Sequence, residues 1–227
     1  HCTKLEPINA VTSELLRTSI DTPAQLTREW FSARNDVLTA SECHTIFRTQ
    51  AGSAVWRRSV ASRLTPNATR WSSAATRWGV QYEPHALEAY CATTGHKCFH
   101  HGLIKHPTIH SLGGSPDGIT YCGRVVEIKC PYSRRITPYD GVPGHYISQV
   151  QCLLHVTGLD VCDFVQYRPP GFIAGGIESK DAEHILSITH VDRDNAWIIN
   201  AKKVADAFIS DVNNYRQPAN VFTQYTK

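Results

Sequence analysis

Between residues 97 and 130 the chain changes character. KCFHHGLI, GITY and RVVEIKC are short β-branched or aromatic runs, each closed off by Gly or Pro. Such runs are too short and too punctuated for helices and read as strands. On either side the apolar spacing turns helical, so the strands must form a sheet with helices packed against it, an α/β layer architecture.

Residues 24 to 49 carry a helical pattern through Gln25, Trp30, Phe31 and Arg34, with a second short helix beginning at Leu38 and capped by Thr39 or Ser41. Residues 75 to 92 place Trp78, Tyr82, Ala86 and Ala89 on one stripe, which should face the core. Pro84 lies inside this stretch; a helix that restarts at it or kinks beside it leaves Glu83 at a helix boundary. Residues 144 to 156 return to helical spacing through Tyr146, Val150, Leu153 and Leu154, and 161 to 167 and 184 to 191 are strand-like. A last helix follows Asp192 or Asp194 as cap, with Trp197, Ala201, Val204 and Phe208 inward. Trp78, Trp197 and Phe208 are therefore expected in the core.

The size of the chain, 227 residues with 41% hydrophobic, suits a single domain over 1–227, and no repeat or linker divides it. It starts at His1 and has no Met, so we expect it to be excised from a longer protein. A net charge of +3 permits a polyanionic partner but requires a local basic groove to hold it. Eight cysteines, from Cys2 to Cys162, are scattered through predicted helices and strands, which favours reduced thiols and an intracellular compartment. No apolar run approaches bilayer length, so no membrane partner is expected. The sequon Asn67-Ala68-Thr69 is discounted as a chance triplet.

Within GSPDGITYCGRVVEIKCP, Glu127 and Lys129 fall two apart on a strand and share a face, while Ile128 points the other way. A turn at ITYCGR, eased by Gly123, brings Asp117 back beside Glu127. Two neighbouring carboxylates repel, and a cation relieves them. The donors are oxygens with no paired Cys or His, which suits Mg2+, with Mn2+ substituting, better than zinc. Metal-assisted hydrolysis of a phosphodiester is the expected reaction, with Lys129 orienting water and meeting developing charge.

These residues resemble the lambda-exonuclease-like (YqaJ viral recombinase) branch of the PD-(D/E)xK nucleases. SPDG followed by VEIKCPYS carries the resemblance. WGVQYE (78 to 83) resembles the family's Trp-Gly segment ending in Glu, HYISQVQ (145 to 151) its Tyr-x-x-Gln-x-Gln helix, and ARNDVLTAS (33 to 41) its N-terminal Arg and Thr-Ala-Ser segment. The resemblance implies a restriction-endonuclease-like core, a central mixed β-sheet flanked by helices. It implies Asp117, Glu127 and the main-chain carbonyl of Ile128 as metal ligands, Glu83 approaching the metal directly or through water, Lys129 as catalytic lysine and Gln149 near the nucleophile. Arg34 and Ser41 would take a 5′-terminal phosphate, and 5′-to-3′ digestion of linear double-stranded DNA in recombination or repair would be the activity. Double-stranded DNA ends, a single-strand annealing or recombination protein, and a homo-oligomeric ring are the implied partners.

KHPTIHSLGG before SPDG has no acidic residue, so one firmly held metal is expected rather than two. Arg134 and Arg135, with Tyr146, are placed to hold the DNA backbone. Arg57, Arg58, Arg63, Arg70 and Arg77 form a basic run that can lie along phosphates or simply face solvent. Cys91, His96, Cys98, His100 and His101 lack the spacing of a dedicated zinc site. Two other readings stay open, a DNA-end-binding module of nuclease descent that does not cut, and an endonuclease or RNA-directed enzyme of the same superfamily.

Overall fold

The structure, a computed structural model, describes residues 8–64 and 73–216. Cys2, the sequon at 67–69 and Arg70 lie outside the described residues. The central sheet contains β2 (Cys98–Phe99), β5 (Gly118–Thr120), β6 (Val125–Lys129), β7 (Val161–Arg168) and β10 (Ile185–Asp192), in the spatial order β10-β7-β6-β5-β2. It is mixed: β6 and β7 run parallel, and the other neighbours are antiparallel. A parallel pair needs a crossover, and helix α6 (Gly144–Thr157) supplies it. A smaller sheet joins β1 (Leu38–Thr39), β4 (Leu112–Gly114) and β3 (Ile104–Lys105), and β8 (Phe172–Ile173) pairs with β9 (Ile177–Glu178) as a hairpin.

Helices cover both faces of the central sheet. On one side Val125 and Phe164 join Val150, Leu153 and Leu154 of α6, together with α3 (Ala40–Phe47) and α7 (Trp197–Arg216). On the other, Val126, Ile128, Val165 and Tyr167 pack under Ala86 and Tyr90 of α5 (Ala74–Thr94). A strand covered on both faces should be almost wholly apolar. Glu127, Asp163 and Gln166 break that rule while lying buried in β6 and β7, so each needs a partner.

Three expectations are corrected. Leu38 does not start a helix: α2 (Arg28–Ala33) ends in a 3-10 turn, and Leu38 and Thr39 form β1 by pairing with Leu112 and Gly113. Thr39 then caps α3 in a capping box with Glu42, which leaves Ser41 exposed. Second, α5 runs unbroken through Pro84, so Glu83 sits inside a helix and not at its boundary. An internal proline costs a helix about 3 kcal/mol; burial of Trp78 before it and Ala86 and Tyr90 after it holds both halves in register. Third, Arg63 is buried beyond α4 (Ala54–Ala61), donating to Glu42 and to the carbonyl of Arg34. Arg57, Arg58 and Arg77 of the same basic run are exposed.

Trp78 and Phe208 are in the core and Trp197 is half-buried against it. Asp192 ends β10, and the Asp194 carboxylate accepts from the Ala196 amide at 2.8 Å in the turn that leads into α7. The seven cysteines of the described residues are free thiols, as expected. No helix among the described residues is long and apolar enough to cross a membrane.

Candidate active site

The hairpin between β5 and β6 fixes the first two carboxylates. Gly123 adopts φ +86, and its amide closes the turn on Thr120. The register pairs Gly118 with Val126. One step further along the same ladder, Asp117 stands opposite Glu127, and directly opposed residues share a face. The Ile128 amide donates to Asp117 Oδ2 at 2.6 Å, which ties the aspartate to the strand beyond the end of β5. Amide and carbonyl of one strand residue project to the same side. The Ile128 carbonyl therefore faces the Asp117 side as well.

On β6, Lys129 Nζ donates to Glu127 Oε1 at 2.5 Å, and Gln149 Nε2 from α6 donates to the same oxygen at 2.5 Å. The Lys129 ammonium also lies 5.1 Å above the Tyr146 ring, which packs against Phe164. Glu83 reaches the group from α5. Burial, followed by the charge of Asp117, raises its carboxyl to about 7. Burial likewise raises Glu127 to about 8, with Asp117 adding and Lys129 opposing. Asp117 is raised by burial too, against the pull of Lys129 and the Ile128 amide. For Lys129, the desolvation that would lower it is outweighed by Glu127 and Asp117, so it stays charged. The five residues singled out from sequence, Glu83, Asp117, Glu127, Lys129 and Gln149, are thus brought into one cluster.

One oxygen in the cluster is left over. Glu127 Oε2 is buried and accepts no hydrogen bond among the described residues. An orphaned carboxylate oxygen beside a second carboxylate calls for a cation or a proton. No group of three His, Cys, Asp or Glu side chains converges tightly enough to hold a metal among the described residues. The fitting donors are instead two carboxylates and a main-chain carbonyl, all hard oxygens, with Glu83 one step away. That set suits a hard divalent ion that keeps part of its water shell.

The cluster opens into a cleft of about 520 Å³ lined by Glu83, Ile128, Lys129, Tyr132, Arg134, His145 and Tyr146, among others. Tyr132, Ser133 and His145 of this lining were not singled out from sequence; the first two follow directly on VEIKCP, and His145 directly precedes the singled-out Tyr146. Arg134 faces the cleft, whereas Arg135 is exposed beside it and is not among the lining residues. Arg34 lies elsewhere, 4.2 Å over the Trp30 ring, with Nη2 at 3.3 Å from both Thr39 Oγ1 and Ser41 Oγ. Trp30 Nε1 donates to Ser115 Oγ at 2.9 Å, which links the Arg34 group to the SPDG turn. Neither Trp30 nor Ser115 stood out as a site residue in the sequence, because a buried tryptophan reads as core and a serine before Pro-Asp-Gly reads as turn.

Of the histidines and cysteines, Cys91 and Cys98 touch at 3.8 Å and Cys122 meets His96 at 3.6 Å, and among the described residues no group of three such side chains is gathered as a metal site. His100 instead contacts the Asp117 carbonyl, and His101 meets Thr18.

Comparison with known proteins identifies the family and the fold. Residues 29–160 match the YqaJ-like viral recombinase domain. LHK-Exo solved in complex with dAMP is 28% identical, with a TM-score of 0.66 over 86% of this chain and 100% of that one. A second structure, the alkaline exonuclease LHK-Exo from Laribacter hongkongensis, is 30% identical at a TM-score of 0.63, covering 83% and 93%. A phage-related exonuclease from Haemophilus somnus shares the fold at 15% identity, with a TM-score of 0.57 over 78% of this chain and 94% of that one. Among curated proteins, uncharacterized protein R354 of Acanthamoeba polyphaga mimivirus is 28% identical over 63% of this chain; the chain spans 29% of that relative's length.

Proposed function

This chain belongs to the YqaJ-like viral recombinase domain family, and we propose that it is a metal-dependent deoxyribonuclease, a 5′-to-3′ exonuclease on linear double-stranded DNA. The observation that carries this is the placement of Asp117 opposite Glu127 with the Lys129 ammonium on Glu127 Oε1. The exonuclease structures among its relatives support the reading, LHK-Exo with dAMP included.

Asp117, Glu127 and the Ile128 carbonyl would hold Mg2+, or Mn2+ in its place, with Glu83 contributing directly or through water. The chemistry supplied there by a bound ion would be a more acidic attacking water and compensation of negative charge on the phosphoryl and leaving oxygens. Lys129 aims its remaining N–H donors at the attacking water and at the negative charge that grows on the phosphate. Gln149 keeps Glu127 Oε1 turned toward the lysine, so Oε2 stays directed away from both donors. Burial of this cluster keeps bulk water from screening those charges. Arg134, Arg135 and Tyr146 hold the DNA backbone, and Arg34 with Ser41 takes the 5′-terminal phosphate, a match of guanidinium and hydroxyl to phosphate oxygens.

The single strand left by such digestion suits a single-strand annealing or recombination protein as partner. A homo-oligomeric ring around the duplex would keep the enzyme on its substrate. The chain would act as one nuclease domain of a longer intracellular protein.

The test is a 5′-phosphorylated linear duplex incubated with and without Mg2+, beside a closed circle and an RNA duplex. Shortening from 5′ ends of the linear DNA, with Mg2+ only, is expected; Asp117→Asn should abolish it and Lys129→Ala should slow it strongly. Cutting of the circle points to an endonuclease. Binding of ends without turnover points to a module that does not cut.

A further inference from the structure

The segment between β6 and α6 carries Tyr132, Ser133 and Arg134 into the cleft, and it has no regular structure of its own. Loops of this length normally wander over the surface. This one is fastened to the sheet by side chains of β7 and β10. Gln166 Nε2 donates to the carbonyls of Asp140 and Gly141 at 3.5 and 3.2 Å. Ser187 and Thr189 donate to the Asp140 carbonyl at 2.9 and 3.0 Å. Arg168, itself buried, donates to the carbonyl of Arg134 at 2.5 Å.

Gln166 is the centre of this fastening. It is fully buried in β7, directly beside Lys129 in the parallel ladder, and so lies on the same face as the lysine. Its Oε1 accepts from Arg134 Nη2, while Asp140 takes Nη1 at 3.4 Å. A buried amide in a strand covered on both sides is costly unless its donors and acceptor are all used, and here they are. The arginine is thereby held at a fixed offset from Lys129, one strand spacing of about 4.8 Å away plus the reach of the two side chains.

Resting on the nuclease reading above, we propose that Gln166, seconded by Arg168, is a positioning residue that sets Arg134 as a clamp for a DNA backbone phosphate next to the scissile one. Gln166 does not touch substrate. It acts by keeping one guanidinium from swinging out into solvent, so binding rather than chemistry depends on it. A guanidinium left to its own rotamers would have to be ordered at each encounter.

The experiment compares wild type, Arg134→Ala, Gln166→Leu and the double variant on a linear duplex. Expected for Gln166→Leu is a KM raised about tenfold with kcat within about twofold, the pattern of lost uniform binding. The double variant should be no worse than Arg134→Ala alone, since the two act as one unit. The salt dependence of duplex binding, measured in the uncutting Asp117→Asn background, should lose about one phosphate contact in both single variants. That reading is independent of turnover, so it separates failure of this proposal from failure of the nuclease assignment. Arg168→Lys is a second route to the same loop if Gln166→Leu unfolds, and should raise KM in the same way. Wild-type KM and salt slope in a folded Gln166→Leu, or in Arg168→Lys where that variant replaces it, overturn the proposal, as does an additive effect in the double variant.

Discussion

Gln149 on α6 and Lys129 on β6 donate to the same oxygen of Glu127, each at 2.5 Å, while the other oxygen of that carboxylate has no hydrogen bond among the described residues. The asymmetry fixes which side of Glu127 is committed to the protein. Glu127 Oε2, buried beside a second carboxylate, is the oxygen left for a cation.

Lys129→Ala should slow cleavage about 10²- to 10³-fold, the scale for removing one preorganised donor from a developing charge. Single-turnover rates with saturating Mg2+ measure it. Because duplex binding does not depend on this lysine alone, affinity for DNA should change far less than rate.

Gln149→Leu should cost less than the lysine, about 10-fold in kcat, because Lys129 still holds Glu127 Oε1. Gln149→Glu should be worse than Gln149→Leu, since a third carboxylate against Glu127 adds repulsion in a buried site. The ranking is read from kcat values of the three proteins side by side.

Arg34→Ala should remove a preference for 5′-phosphorylated over 5′-hydroxyl ends, lowering the ratio of their initial rates while leaving the slower substrate unchanged. A guanidinium on phosphate contributes through a charge-assisted pair that the hydroxyl end cannot form. Trp30→Leu should act in the same direction, more weakly, through loss of the ring beneath Arg34.

Asp163 predicts an acid-sensitive stability far from the cleft. It is buried in β7 and accepts from Tyr90 Oη at 2.6 Å and from Arg124 at 2.8 and 2.5 Å, with His190 at 2.6 Å. Burial alone would raise its carboxyl, but the hydrogen bonds of Arg124, Tyr90 and His190 outweigh it and hold it below the ordinary value. A depressed folded value stabilises the protein above the unfolded value of about 4 and loses that stabilisation as pH falls through the folded one. Asp163→Asn should therefore cost about 2 kcal/mol at pH 7, the scale for weakening hydrogen bonds to a charged group whose cationic partner, Arg124, is partly exposed. Urea unfolding from pH 6 down to pH 3 should show the gap between the two proteins narrowing below pH 4.

Part of the candidate site was legible in the sequence by local rules, while the roles of Glu83 and Gln149 came only through the family resemblance. Period-two alternation puts Glu127 and Lys129 together, and Gly123 in the turn sets the register that returns Asp117. The parts that were not legible depend on distant partners. Leu38 and Thr39 look like the start of a helix, and only pairing with Leu112 and Gly113 makes them a strand. Pro84 looks like a break, and only the packing of Ala86 and Tyr90 on β6 and β7 overrides it. Arg63 looks like a phosphate contact until Glu42, twenty-one residues earlier in the chain, takes it into the interior. Gln166 reads as one polar residue in a strand, since its use depends on a loop twenty-five residues before it.

The most direct measurement is anomalous diffraction from crystals of this protein grown with Mn2+. The proposed chemistry predicts a single strong peak between the carboxylates of Asp117 and Glu127, lost in Asp117→Asn. A peak elsewhere, or none in a protein that still degrades DNA, would contradict it.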